Sequence, residues 1–373
     1  MTDSEYRLKP GERLYVRTSD GGQPAVYTPK GKGYTRVTDS GVVPPPDPVP
    51  TPPTGHLFGV DLKTRPTTGA AWTSLKAWAD RSDKPDLRNQ DNQGDVVTLA
   101  QGLVFARTGD AAYRSKAIAN LDAAKATAGP GVTSGDTLGM VRGMGAIALA
   151  ATLIDYRPAP FVQWMRDMLS WENPDRDYTI RSTQEKRPNN WMGHAGASRV
   201  AMAIYLRDKA ELDKAAQVFR GFLGDRSAWS EDSPGGFVYG ELSWQADAIK
   251  PVGVNPKGAT KDGVNIDGII PDDMRRGGSF PTIGATGVSY TWECSQGLVL
   301  TAELLHNQGY PAWEWQDRAV ARVIDRIVSL GHPAEGDDRW IPYITNLRCG
   351  RNDPKAAGVN PGKGFIGAEW IYR

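Results

Sequence analysis

The stretch "RPNNWMGHAGASRVAMAIYL", residues 187–206, decides the fold class. From position 189 its apolar residues recur every three or four positions, which predicts a helix that starts near Asn189. Two asparagines, a tryptophan and one of only four histidines stand at the head of this helix. Asn189 alone is explained as a helix cap. Asn190 and His194, at i and i+4, are expected to project from one face.

The same helical periodicity continues through much of the chain from residue 70 onward. It is clear in "TLGMVRGMGAIALAATLIDY" (137–156) and in "YTWECSQGLVLTAELLHNQG" (290–309). Short breakers join successive helices, and many helices have one apolar and one Ala/Gly-rich face. This pattern fits an α-solenoid or a closed helical toroid. No repeat of fixed period is apparent, which favours the toroid.

The N-terminal region has a different composition. Residues 1–43 carry short alternating apolar and polar runs between Gly and Pro turns, which predicts a small β module. Residues 44–55 contain seven prolines and are expected to form a stiff polyproline spacer. Residues 56–373 then form the helical domain. A small anchor, a stalk and a large working domain is an arrangement that we associate with phage tail or cell-surface proteins.

Charge and cysteine content exclude several classes of function. The 44 Lys and Arg residues nearly balance the 43 Asp and Glu residues, so nucleic acid is not an expected partner. Cys294 and Cys349 lack the spacing of a metal site, and whether they pair stays open. We expect no metal and no cofactor. Without an apolar leader or a run long enough to span a bilayer, we expect a soluble protein with no signal peptide and no membrane insertion.

Residues 226–290 interrupt the helices. They are rich in Gly, Pro and Asp and have no sustained periodicity. Long irregular segments within a compact domain are usually binding loops or lids. We therefore predict a lid over 231–285, with Tyr239 and Trp244 in contact with a ligand.

A second motif follows in "DGIIPDDMRRGGSFPTIGATGVSYTWECSQG", residues 267–297. In this motif, an acidic pair is followed by an Arg before Gly and then by a Tyr that opens an apolar helix. Together with the asparagine pair, this order resembles the alginate lyase-like polysaccharide lyases, over roughly residues 60–330. In that family an Asn-Asn-His motif precedes a DG-x-x-P-D-E-x-x-R-G stretch and a Tyr.

The resemblance implies an incomplete (α/α) toroid with a substrate groove across its open end. It maps the amide that neutralises the substrate carboxylate to Asn190, the motif arginine to Arg276 and the catalytic tyrosine to Tyr290. Trp191 stands where the family has His, and the nearest imidazole is that of His194. The predicted substrate-binding residues are Asn189, Trp191, Arg275, Tyr239 and Trp244; Arg275 replaces Arg276 if the register shifts by one.

These residue types suit β-elimination from a uronate polysaccharide. The C5 proton next to a charged carboxylate is barely acidic, so Asn or Arg must stabilise the developing enolate. A base takes that proton and an acid protonates the leaving oxygen on C4. We expect His194 to act as the base and Tyr290 to serve the leaving oxygen. The predicted function is a depolymerase of a surface polysaccharide, displayed on a phage tail and attached to other tail proteins through residues 1–43.

Two other functions stay open at this point. The first is a glycoside hydrolase on the same fold, which would need two carboxylates roughly 5 to 9 Å apart. Its candidates are Glu231, Asp232, Glu241, Asp272, Asp273 and Glu293. The second is a tail protein that binds a glycan without cutting it. Neither the polysaccharide nor the endo or exo mode follows from the sequence.

Overall fold

The chain divides into two compact units, residues 1–50 and 51–373. The computed structural model describes residues 57–358 and 361–373, together with three strands nearer the N-terminus. The predicted proline-rich spacer at 44–55 lies outside the described residues. The predicted division into anchor, spacer and catalytic domain therefore stays a prediction.

The first unit contains a small antiparallel sheet. Its strands are β1 (Leu14–Val16), β2 (Ala25–Lys30) and β3 (Gly33–Arg36), in the order β1-β2-β3. Tyr15 pairs with Val26, and Thr28 pairs with Thr35. Consecutive strands are thus neighbours, as expected for the alternating runs between turns in this part of the sequence.

The second unit is built mainly from helices. They are α1 (Ala70–Ala79), α2 (Gly94–Thr108), α3 (Ala111–Lys125), α4 (Thr137–Leu153), α5 (Ala159–Met168), α6 (Ile180–Lys186), α7 (Asn190–Leu206), α8 (Lys209–Phe222), α9 (Pro271–Met274), α10 (Ala285–Asn307), α11 (Trp315–Ser329), α12 (Ile341–Cys349) and α13 (Ala368–Tyr372). A short hairpin pairs β4 (Thr260–Lys261) with β5 (Val264–Asn265). Across 57–358 and 361–373, no helix has the length and apolar character needed to cross a membrane.

The helices form an inner and an outer layer. The inner helices α2, α4, α7 and α10 pack side by side in that order, and α12, α13 and α1 lead from α10 back to α2. Every residue of α7 is buried, as expected of a helix surrounded on all sides. The outer helices α8 and α11 bury a single face. This arrangement confirms the predicted incomplete (α/α) toroid.

Two glycines allow α7 and α10 to approach closely. A Cβ at Gly193 would lie 2.7 Å from the carbonyl oxygen of Cys294, and a Cβ at Gly297 would lie 2.0 Å from the carbonyl carbon of Gly193. Real side chains do not tolerate such distances, so an alanine at either position would push the helices apart. The close contact brings the first turn of α7 against the middle of α10, one turn beyond Tyr290.

Residues 226–290 have a small apolar core of their own. Trp244, Ile266, Ile269 and Met274 pack together and are buried. The segment is joined to the start of α7 from both sides, because the Val238 amide donates to the carbonyl of Lys186 at 2.8 Å and α9 contacts the asparagine pair. The predicted lid thus lies against the N-terminal end of α7.

Candidate active site

The N-terminus of α7 is capped by its own sequence and by α9. Asn189 is the N-cap, and its side-chain oxygen accepts from the Trp191 amide at 3.0 Å. Its side-chain nitrogen donates to Asp272 at 2.8 Å. The Asn190 amide donates to Asp273 at 3.1 Å. Asp273 therefore accepts from one of the backbone amides that lack a partner within the helix, and Asp272 holds the side chain of the cap residue.

Arg276 joins Asn190 to Tyr290. Its guanidinium donates to the side-chain oxygen of Asn190 at 3.0 Å and lies over the Tyr290 ring, 3.6 Å from the ring centre. The Asn190 side-chain nitrogen is buried and has no hydrogen-bond partner among the described residues. Three of the four predicted catalytic residues therefore converge, and the cluster holds a buried amide donor without a partner.

Asp273 lies beneath this cluster and is fully buried. Burial raises the pKa of Asp273 well above its usual range, although the Asn190 amide and the Arg276 charge oppose that change. The carboxyl group holds the backbone of Asn190 and lies 3.9 Å from Arg276. It thus fixes the relative position of the two residues predicted to hold the substrate carboxylate.

The fourth predicted catalytic residue belongs to a different cluster. His194 is 3% exposed, and its Nε2 lies 3.3 Å from a carboxylate oxygen of Glu293. The same oxygen accepts from Arg142 of α4. Burial raises the pKa of Glu293, but His194 and Arg142 outweigh this effect and lower it to about 2. The carboxylate is therefore ionised and can only accept, so Nε2 of His194 carries the proton.

This geometry corrects the prediction that His194 takes the C5 proton. The ring nitrogen at its tip already donates to Glu293, and the remaining nitrogen belongs to a side chain with almost no exposed surface. Burial also lowers the pKa of His194, more than the contact with Glu293 raises it. The imidazole is neutral and its outer nitrogen is already paired, as in a structural histidine. The i, i+4 relation to Asn190 is real, but the two side chains have different environments.

The predicted substrate-binding residues have different environments in the structure. Trp244 is fully buried in the lid core and donates to the Gly278 carbonyl at 2.8 Å. The prediction that it contacts a ligand is wrong, because no face of its ring is open. Trp191 is 9% exposed and lies beneath two arginines. Arg275 donates to Asp272 at 2.7 Å, which ties it to the asparagine cap. Tyr239 is half-buried, and burial raises its pKa.

Arg142, which pairs with Glu293, was not among the residues predicted from the sequence. A single arginine inside the apolar run "TLGMVRGMGAIALAATL" of α4 was the available signal. A buried charge needs a partner, and here that partner is Glu293. The periodicity of α10 gave no indication that Glu293 would face this arginine.

The carboxylates proposed for a hydrolase are otherwise engaged. Asp272 binds Arg275 and Asn189, Asp273 is fully buried, and Glu293 has a pKa of about 2, too low for a general acid. Glu231 and Asp232 both pair with Arg226, and Glu241 accepts from Ser243. No pair among them combines an open carboxylic acid with an open carboxylate, so the structure gives the hydrolase alternative no support.

Cys294 lies against Asp273, beneath the cluster. Cys294 and Cys349 are both free, which answers the question of their pairing. In the described part of the chain, no three His, Cys, Asp or Glu side chains are grouped as a metal site would require.

Comparison with known proteins gave related results for sequence and for structure. The family model for alginate lyase matches residues 80–227, which include α7 but end before Arg276 and Tyr290. A search of curated proteins gave no match.

Eleven chains of solved structures match this chain. Alginate lyase A1-III from Sphingomonas species A1 is 13% identical, with 75% of each chain covered and a TM-score of 0.48. A histidine-to-alanine variant of alginate lyase A1-III complexed with tetrasaccharide is also 13% identical. That match covers 87% of this chain and 97% of the other, with a TM-score of 0.56. At this level of identity, the second match establishes a shared fold.

Proposed function

We propose that the protein is a polysaccharide lyase that cleaves a uronate-containing polysaccharide by β-elimination. The observation that carries the proposal is the contact of Arg276 with both Asn190 and Tyr290. A cation, a free amide donor and a phenol are the groups that this reaction requires. The alginate lyase family match over residues 80–227 and the shared toroid fold support the same reaction class.

Asn190 and Arg276 hold the substrate carboxylate in this proposal. The half-buried guanidinium of Arg276 donates to the substrate carboxylate, and the buried, unpartnered side-chain nitrogen of Asn190 lies beside it as a second donor. Both donors are fixed before substrate arrives, since Asp273 holds the Asn190 backbone. Preorganised donors of this kind stabilise the negative charge that moves onto the carboxylate when the C5 proton leaves.

Tyr290 moves the proton. With Nε2 of His194 donating to Glu293, Tyr290 is the group in the cluster that can take the proton from C5 as the phenolate and, as the phenol so formed, give it to the oxygen on C4 as that bond breaks. The pair of electrons from the C–H bond forms the C4–C5 double bond, and the C4 oxygen leaves with the proton. One product then carries an unsaturated uronate at its new end.

The test is incubation of the full chain with a panel of uronate and neutral polysaccharides. Near-ultraviolet absorbance and reducing ends are followed together, because elimination raises both and hydrolysis raises only the second. We expect both to rise with at least one uronate polymer. Reducing ends without absorbance would favour a hydrolase, and saturable binding without either signal would favour a glycan-binding protein.

We also propose that the N-terminal unit attaches this domain to a larger assembly, such as a phage tail that acts at a host cell surface. The support is the small sheet in residues 1–50 followed by the proline-rich sequence. Deletion of residues 1–43 should leave turnover intact and abolish co-purification with tail proteins. Loss of turnover in a folded deletion variant would contradict this division of labour.

A further inference from the structure

Two arginines and two aromatic rings form an unusual surface beside the asparagine pair. Arg187 lies over the rings of both Tyr178 and Trp191, with its guanidinium carbon 5.6 and 5.0 Å from their centres. Arg176 lies 5.5 Å from the Trp191 ring centre. The two rings meet edge to face at 6.2 Å. We call these four residues the arginine shelf.

The shelf lies at the same end of the toroid as Asn190. Asp175, in the loop that carries Arg176 and Tyr178, accepts from the amide of Thr137, the first residue of α4. Trp191 is in the first turn of α7. Arg187 and Asn190 are three residues apart, a span of at most roughly 10 Å in extended chain. The shelf therefore lies between the N-termini of two inner helices, next to the proposed carboxylate site.

Arg187 is a cation without an acidic partner. Of the carboxylates in 57–358 and 361–373, none lies within ion-pair distance of it. Arg176, in contrast, pairs with Asp175 at 3.2 Å. An arginine stacked by its face keeps the N–H donors along its edge available, and that edge matches a carboxylate. Arg187 is also only half-buried, so a ligand can reach it.

We propose that Arg187 binds the carboxylate of the sugar unit next to the one held by Asn190 and Arg276. The substrate is then a polymer with acidic groups on neighbouring units, and not one in which neutral sugars separate the acidic ones. This inference rests on the proposed function, because it uses the Asn190 site as its reference point. The rings of Tyr178 and Trp191 hold the guanidinium in place, so little side-chain freedom is lost on binding.

The test compares Arg187→Gln with Lys209→Gln in the full chain. Lys209 also lies near an aromatic ring, Tyr310, but pairs with Asp213 on the outer helix α8. Binding of a uronate tetrasaccharide prepared from alginate is measured by calorimetry at low and high salt. We expect Arg187→Gln to raise Kd about tenfold and weaken its salt dependence, since a charged hydrogen bond is lost. Lys209→Gln should bind as the wild type does.

A second comparison uses a tetrasaccharide with alternating uronate and neutral units, for which Arg187→Gln should change Kd less than twofold. Equal loss of affinity for both tetrasaccharides, or no loss for either, would overturn the inference.

If Arg187→Gln does not fold, the rate at which phenylglyoxal modifies Arg187 in the wild type is measured instead. The uronate tetrasaccharide should slow it, and an unchanged rate would overturn the proposal. Weaker binding by the variant without unsaturated product from the wild type would support Arg187 and refute the lyase proposal.

Discussion

Two successive turns of α7 have opposite characters. The first turn carries Asn190, whose side chain meets Arg276 and still has a free donor. The next turn carries His194, whose ring meets Glu293 and is 3% exposed. Both turns face α10, and Tyr290 and Glu293 are likewise one turn apart there. Both side chains are buried, but the first turn keeps an unpaired amide donor, whereas the ring of the second is paired with Glu293.

The difference shows that two residues one helical turn apart have different roles, one in the proposed reaction and one in stabilising the fold. At its end, an inner helix meets a loop segment, and polar groups are satisfied only in part. One turn further in, other inner helices surround it, and every charge must find a partner within the protein. Arg142, Glu293 and His194 form such a set. Residue type alone does not distinguish the two turns.

The largest expected effect is that of Tyr290→Phe. The change removes the phenol oxygen and keeps the ring on which Arg276 lies, so we expect kcat to fall by roughly 10² to 10⁴ with little change in affinity. The measurement is the initial rate of near-ultraviolet absorbance, with binding of a uronate oligosaccharide as a second readout. Tyr156→Phe is the control, since its hydroxyl binds Asp122 beyond the C-terminal end of α4. Full turnover by Tyr290→Phe would remove the phenol from the mechanism.

A smaller effect is expected for Glu293→Gln, which tests the ion pair at the second turn. The change leaves the buried charge of Arg142 without its counter-charge. We expect the free energy of unfolding to fall by about 2 kcal/mol, less than for a fully buried pair because Glu293 is partly exposed. Urea unfolding measures the change, and Asp213→Asn in an exposed pair should cost well under about 1 kcal/mol. Equal, small losses in both variants would mean that the cluster does not support the fold.

The smallest effect is expected for His194→Gln. Burial keeps the pKa of His194 below its usual value, so the unfolded chain binds a proton that the folded chain does not. Wild-type stability should therefore fall as the pH drops below about 6.5, and the variant should lose part of that dependence. Unfolding at several pH values between about 5 and 8 measures it. At neutral pH kcat should change less than about tenfold; a loss like that of Tyr290→Phe would restore His194 as the base.

Much of the fold could be predicted because helical periodicity is a local property. The runs that became α4, α7 and α10 were visible as such, and the Asn189 cap was placed correctly. Trp244 shows the limit of that reasoning. Its segment has no period, so nothing in the sequence indicated that it would pack against Ile266, Ile269 and Met274. Aromatic residues in an irregular segment suit a binding loop and a small core equally well.

The sequence by itself determined the helical class, the polar start of α7 and the order of Asn, Arg and Tyr along the chain. Tertiary structure alone decided which of them meet. Arg276 reaches Asn190 across 86 positions because the glycines of α7 and α10 let these helices touch and α9 caps the asparagine pair. It also decided that His194 is paired with Glu293 while Asn190 keeps an unpaired donor. Whether a buried polar group finds a partner depends on what packs around it, and its near neighbours in sequence do not specify that.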